Sequence, residues 1–212
     1  MNGFYDKMLV YISTRLSLCG YKYRKSESDF YKKIEVGAFS VSLDCLKASD
    51  GRHFVLNAIC RIRIDDIEEV YAKYCPYLSD SEKKKHFTIY ARYGNKPLFV
   101  NTLSKSFLPS ESMEKADYFL GCFHDEIEPF FAKYSHREKL VYNLTSEDYQ
   151  VWVTSDQICR YAILICNAAI EADREFFEAY AERFLQYCSK PFAQANLQLA
   201  NRLVDGIRVD YF

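Results

Sequence analysis

The chain has 212 residues, 49% of them hydrophobic and 17% aromatic, which is enough to bury a substantial core and excludes a disordered chain. Its formal charge of −1 excludes a global field that would gather nucleic acid or anionic membrane, so any charged partner has to be recognised locally. The eight cysteines contain no C-x-x-C pair and several fall on apolar faces, where cysteine behaves as a small hydrophobe.

The first element is an amphipathic helix. Tyr5, Leu9, Ile12, Leu16 and Cys19 recur at four, three, four and three residues, and Gly20 ends the stripe. Because this start carries Asp6 and Lys7 and no uninterrupted apolar run, it reads as structure rather than a secretion signal, and a reducing cytosol is expected. Tyr21 to Arg24 then alternates aromatic and basic residues, Ser26 to Asp29 makes a turn, and Phe30 to Val36 forms a second strand. The run from Phe39 to Cys45 has apolar odd positions and small or acidic even ones. After Ser49-Asp50-Gly51, the segment Phe54 to Ile64 places Phe54, Leu56, Ala58, Cys60, Ile62 and Ile64 on one face. Connections this short predict an antiparallel meander with one covered face and the first helix lying across it.

Asp65-Asp66-Ile67-Glu68 has the spacing of a capping box, and Ile67, Val70, Tyr71 and Tyr74 follow on a helical face that stops before Pro76. The acid pairs Asp65-Asp66 and Glu68-Glu69 are read as cap and helix-dipole residues. After Lys83-Lys84-Lys85 comes a fifth strand, Phe87 to Tyr93, and Gly94-Asn95 turns it into a sixth near Leu98 to Val100. From Ser110 onward the period becomes helical, through Met113, Ala116, Leu120, Phe123, Ile127 and Phe130, with Pro129 expected to kink or restart the helix. Further helices are marked by Ile158 to Ile165, Phe177 to Tyr187 and Leu197 to Val204. The longest nearly apolar stretch, Tyr161 to Ile170, is too short to cross a bilayer. The expected architecture is an α+β domain over 1–212. A helix and an antiparallel sheet of five to six strands occupy 1–105, and a mainly helical part occupies 106–212.

Chemistry is sparse. The seven glycines are isolated, so no phosphate-cradling loop forms, and the four histidines make no metal-binding motif. No cofactor, no metal and no catalytic residue is expected. On one helix Cys122 and His124 point to different sides, so the group Cys122, His124, Asp125 and Glu126 does not make an activated thiol.

Two surfaces remain. Lys22, Arg24, Lys25, Lys32 and Lys33 interleave with Tyr21, Tyr23, Phe30 and Tyr31, a pattern able to track a single-stranded nucleic acid, although Glu27, Asp29 and Glu35 dilute it. Opposite in sign, Glu111, Glu114, Asp117, Asp125 and Glu128 fall within about a third of a helix circumference, away from the apolar arc. Glu111 to Glu128 holds six acids against one base, Lys115. With Tyr118 beside them and 18 tyrosines in the chain, these acids are the expected docking surface for a basic protein. An enclosed cavity lined by converging imidazole, thiol and acidic groups would overturn this non-enzymatic reading.

The run Leu18 to Lys25, followed by Asp29-Phe30-Tyr31-Lys32, Phe39 to Asp44 and Phe54-Val55-Leu56-Asn57, resembles a family of uncharacterised bacterial proteins. That family opens with Gly-Phe-basic, Phe-Tyr-basic, an alternating strand and Phe-x-x-Asn. Tyr21 here replaces the family's phenylalanine and Leu43-Asp44 a more polar strand end. The likeness covers the first third, with an echo at Trp152. It transfers no catalytic residues. It implies a bacterial, cytosolic protein of the kind that neutralises a toxin, with the toxin as partner.

Overall fold

A computed structural model describes residues 3–75, 79, 82–83, 86–94, 98–148, 152–154 and 156–212. The expected helix stop at Pro76, the basic residues Lys84 and Lys85, and the turn residue Asn95 lie outside these. The fold is α+β, and the chain divides into two compact units, each built from two segments: Met1–Ile62 with Ile89–His136, and Arg63–Thr88 with Arg137–Phe212.

The first unit begins with α1 (Gly3–Ser17), which buries Leu9, Ile12 and Leu16 of the expected stripe together with Met8, while Tyr5 and Cys19 are half-buried. Its end is built by Gly20, at φ +83°, with Gly20 N–H donating to the Ser17 carbonyl and Tyr21 N–H to the Leu16 carbonyl. Only a residue without Cβ enters that left-handed conformation at little cost. There follow β1 (Lys22–Arg24), β2 (Asp29–Ile34), β3 (Gly37–Lys47), β4 (Phe54–Ile64, whose last residues belong to the second unit) and β5 (Ile89–Arg92). They form one sheet in chain order, β1-β2-β3-β4-β5. The pairings Tyr23 with Phe30 and Phe30 with Val41 carry one apolar face across three strands. In β4 the six alternating apolar residues are all buried. The structure has no sixth strand at Leu98–Val100. Instead Phe107 makes an isolated antiparallel bridge to Phe54, with hydrogen bonds in both directions at 2.9 Å.

A short turn (Pro109–Glu111) leads into α3 (Ser112–Cys122), a π-helical turn (Phe123–Ile127) and α4 (Glu128–Tyr134). Pro129, in the first turn of α4, supplies no N–H to the turn before it, and the strain is absorbed by the wider turn just upstream. Aromatic contacts fix these helices and α1 to the sheet. Phe39 stacks on Phe131 at 4.7 Å, Tyr21 meets Phe123 edge-on at 5.1 Å, and Phe4 meets Phe54 at 4.7 Å.

The second unit contains α2 (Asp65–Lys73), α5 (Arg137–Thr145), α6 (Gln157–Ile170), α7 (Arg174–Cys188) and α8 (Leu197–Tyr211). Helix α6 is its centre, with nine buried residues running almost all round, and it packs on α2, α5, α7 and α8. Asp156 and Asp173 cap α6 and α7, accepting from Ile158 N–H at 2.8 Å and Phe176 N–H at 3.0 Å. Gly206 on α8 lies against the Tyr74 ring, so near that an added Cβ would fall 2.3 Å from it. No sequence expectation matched α5, whose two buried residues, Leu140 and Leu144, are too few to draw a stripe. All eight cysteines are unbridged. Among the described residues no helix is long and apolar enough to cross a membrane.

Candidate functional site

Of the expected acids Glu114 and Asp117 lie in α3, Glu111 in the turn before it, Asp125 in the π-turn and Glu128 at the start of α4, and several are already employed. Glu111, Glu114, Asp117, Tyr118 and Asp125 are exposed and Glu128 is half-buried. The Glu111 carboxylate accepts from Leu108 N–H at 2.7 Å and closes the turn that starts the helix. Asp117 accepts from the Tyr11 hydroxyl at 2.6 Å, tying α3 to α1. Glu128 faces His124 at 3.5 Å. The π-turn inserts roughly one residue of phase, about 100°, so Glu128 no longer continues the line of Glu111, Glu114 and Asp117. The same turn directs Glu126 to the loop, where it accepts from Val100 N–H at 2.7 Å, Asn101 N–H at 3.1 Å and the Asn101 side chain. Cys122 is buried while His124 and Asp125 are exposed, so the set Cys122, His124, Asp125 and Glu126 does not converge. What remains outward on α3 is a contiguous patch of Met113, Glu114, Asp117 and Tyr118, with the two apolar members 41% and 44% exposed.

Beside that patch lies a groove of about 440 Å³, walled by Lys105, Phe107, Glu111, Glu114, Lys115 and Tyr118 among others. Lys115 is only 8% exposed. Its Nζ donates to the Lys105 carbonyl at 3.0 Å and lies over the rings of Tyr118 at 5.3 Å and Phe107 at 5.9 Å. Burial holds its ammonium below the ordinary lysine pKa.

The basic strands do not offer one continuous cationic surface. Arg24 is engaged by Asp29 in a two-point pair, Nε to Oδ1 at 2.8 Å and Nη2 to Oδ2 at 2.5 Å, and Asp29 also accepts from Ser40. The guanidinium lies 4.1 Å from the centre of the Tyr31 ring, so that aromatic face is covered too. Lys22 pairs with Tyr31 and Lys33 with Ala38, whereas Lys32 pairs with Phe39 on the other face of the sheet and reaches the Tyr21 ring at 5.2 Å. Lys25 lies in the turn after β1.

The second unit holds a cluster that sequence reasoning missed. Glu68 is not a surface cap residue: the residue before α2 is Ile64, with no side-chain cap bond, and Glu68 is 3% exposed. One carboxylate oxygen accepts from the Thr88 hydroxyl at 2.7 Å and the other meets His86 Nδ1 at 2.7 Å. Thr88 also accepts from Ile64 N–H at 3.0 Å, and the His86 ring stacks on Tyr71. The signal lay in the spacing. Ile64, Glu68, Tyr71 and Cys75 fall four, three and four apart, so Glu68 is the lone acid in an apolar stripe.

Imidazole, thiol and carboxylate therefore line one pocket of about 40 Å³, open to solvent, with Cys159 and Cys166 supplying the thiols. It has room for about a water molecule, far below the volume of a ligand site. The Cys159 thiol is pushed up to about 12 by burial first and by Asp156 second, and burial raises Cys166 well above its usual value. Neither thiol supplies a thiolate near neutral pH. Among the described residues no group of three His, Cys, Asp or Glu converges to hold a metal ion.

Comparison with protein-family models, with curated proteins and with solved structures returns no match to this chain.

Proposed function

We propose that this protein is a non-enzymatic binding protein that docks a basic protein partner through the exposed face of α3, most concretely as an immunity-type inhibitor of a bacterial toxin. The observation that carries the docking reading is the patch of Met113, Glu114, Asp117 and Tyr118, where two exposed apolar side chains lie among carboxylates on one helix. Aromatic and methionine side chains supply contact area at interfaces, and the acids steer a cationic partner toward them. The Tyr11 to Asp117 bond ties α3 to α1 at the patch itself, and the Phe123 and Phe131 contacts fix the π-turn and α4 that follow, so the patch is presented with little ordering to be done on association. The toxin-neutralising role and the cytosolic setting come from the resemblance of the first third of the chain to the bacterial family named above.

The test is association with the product of the neighbouring reading frame, followed by stopped-flow at low salt. Glu114→Lys with Asp125→Lys is expected to slow association by roughly tenfold, the low end of electrostatic steering. Asp117 is left intact because it holds Tyr11. A neighbour that does not bind overturns the toxin-inhibitor reading, and an unchanged on-rate in the reversed variant rejects the acidic face.

A further inference from the structure

We propose that the groove beside α3 is a binding site for a small zwitterion, an α-amino acid with an apolar side chain. The inference stands apart from protein docking and would survive the loss of that reading.

The argument begins with Lys115. An ammonium has three donors, and this one, 8% exposed, makes a single hydrogen bond among the described residues, to the Lys105 carbonyl. It pairs with no carboxylate among the described residues; its other partners are ring faces. A cation withdrawn from water without a counter-charge is unfavourable, and ring faces compensate only in part. Lys115 lines the groove, where an incoming carboxylate would supply the missing acceptors.

The opposite requirement belongs to the residue before Lys115, Glu114, which also lines the groove. Glu114 is exposed and has no hydrogen bond or ion pair among the described residues, whereas Glu111 is committed to the Leu108 amide. Adjacent helical residues point apart, so Glu114 and Lys115 do not neutralise each other. The groove is also lined by Phe107, 4% exposed, and Tyr118, 44% exposed, the second of which offers aromatic surface to an apolar side chain. Two lysines and two glutamates line the groove, which therefore favours neither a plain anion nor a plain cation but a molecule carrying both charges. At about 440 Å³ it lies within the range of small-molecule sites.

The experiment is titration of the full chain, by calorimetry and by ligand-observed NMR, with the standard α-amino acids, and with 3-phenylpropionate and phenethylamine as controls for phenylalanine. Saturable millimolar or tighter binding of L-phenylalanine or L-leucine is expected. Both controls should bind at least about tenfold more weakly, the effect of removing one charged hydrogen-bonding partner. Glu114→Gln, at an exposed position that leaves folding intact, should weaken L-phenylalanine by a similar factor, and Lys115→Met should abolish it. Absence of saturable binding by any amino acid overturns the proposal. So does 3-phenylpropionate binding as tightly as phenylalanine, or Glu114→Gln with unchanged affinity.

Discussion

Glu68 in one unit and Lys115 in the other are both buried charged side chains, and the two are treated differently. In the second unit Glu68, 3% exposed, has both carboxylate oxygens filled from within, by Thr88 and His86. In the first unit Lys115, 8% exposed, has one acceptor and two ring faces. The buried carboxylate stands beside a cavity with room for little more than a water, and the incompletely satisfied ammonium borders one more than ten times larger. A charge whose hydrogen bonds are complete fixes a core. A charge left short of partners beside open volume is positioned for something that arrives from outside. Asp29, 1% exposed and filled by Arg24 and Ser40, belongs with Glu68 although it lies in the first unit, which shows that the contrast does not follow the unit.

The largest effect that would break this contrast comes from Glu68→Ala. Removing the acceptor leaves the Thr88 hydroxyl and the His86 ring without their carboxylate partner, and a loss of about 3 kcal/mol in unfolding free energy is expected in urea titration. A loss below about 1 kcal/mol would mean that the cluster is not a buried network. The complementary change is Lys115→Met, which keeps the chain length and apolar stem while deleting the charge. Because the ammonium has no counter-charge to lose, stability should stay within about 1 kcal/mol of the parent or rise. A loss as large as that of Glu68→Ala would place Lys115 in the core and remove its availability to a ligand.

Much of the scaffold was legible in the amino-acid order because its signals are periodic. Six alternating apolar residues announced β4, and the four-and-three stripe of α1 ended at the glycine that takes a left-handed turn. The phase of the acidic helix was not, since a sum at 100° per residue assumes an uninterrupted helix. Pro129 signalled a disturbance, but not that it would be absorbed upstream as a π-turn, which carries Glu128 aside and sends Glu126 to the loop at Asn101. Glu68 was misread for a related reason: acids in a first helical turn ordinarily serve its dipole, and the donors that draw this one inward come from Thr88 and His86, 20 and 18 residues away. The groove at Lys115 is assembled from a loop and a helix, with no periodic mark on the loop. The acids and Tyr118 on its rim were chosen from sequence. The lysine that gives the groove its second sign entered that reading only as a base diluting the stripe.

The smallest effect sharpens the contrast from the exposed side. Arg208 on α8 holds Glu178 of α7 in a two-point pair at 2.9 and 2.7 Å, with Asp205 at 3.4 Å as a second carboxylate. The hydrogen bonds from Arg208 chiefly, then its charge, hold the Glu178 carboxyl below its ordinary value of 4.5. A carboxyl with a depressed folded pKa contributes stability above the unfolded pKa and loses it as the pH falls through the folded one. With side chains 40% and 41% exposed, water and salt screen the pair, and its contribution is a few tenths of a kcal/mol. Arg208→Met should therefore lower unfolding free energy slightly at pH 7. The difference from the parent should narrow on acidification below about pH 4 and in molar salt. A deficit above about 2 kcal/mol that is insensitive to acid and salt would show that the pair behaves like the filled network around Glu68, and that exposure does not separate the two kinds of charge in this fold.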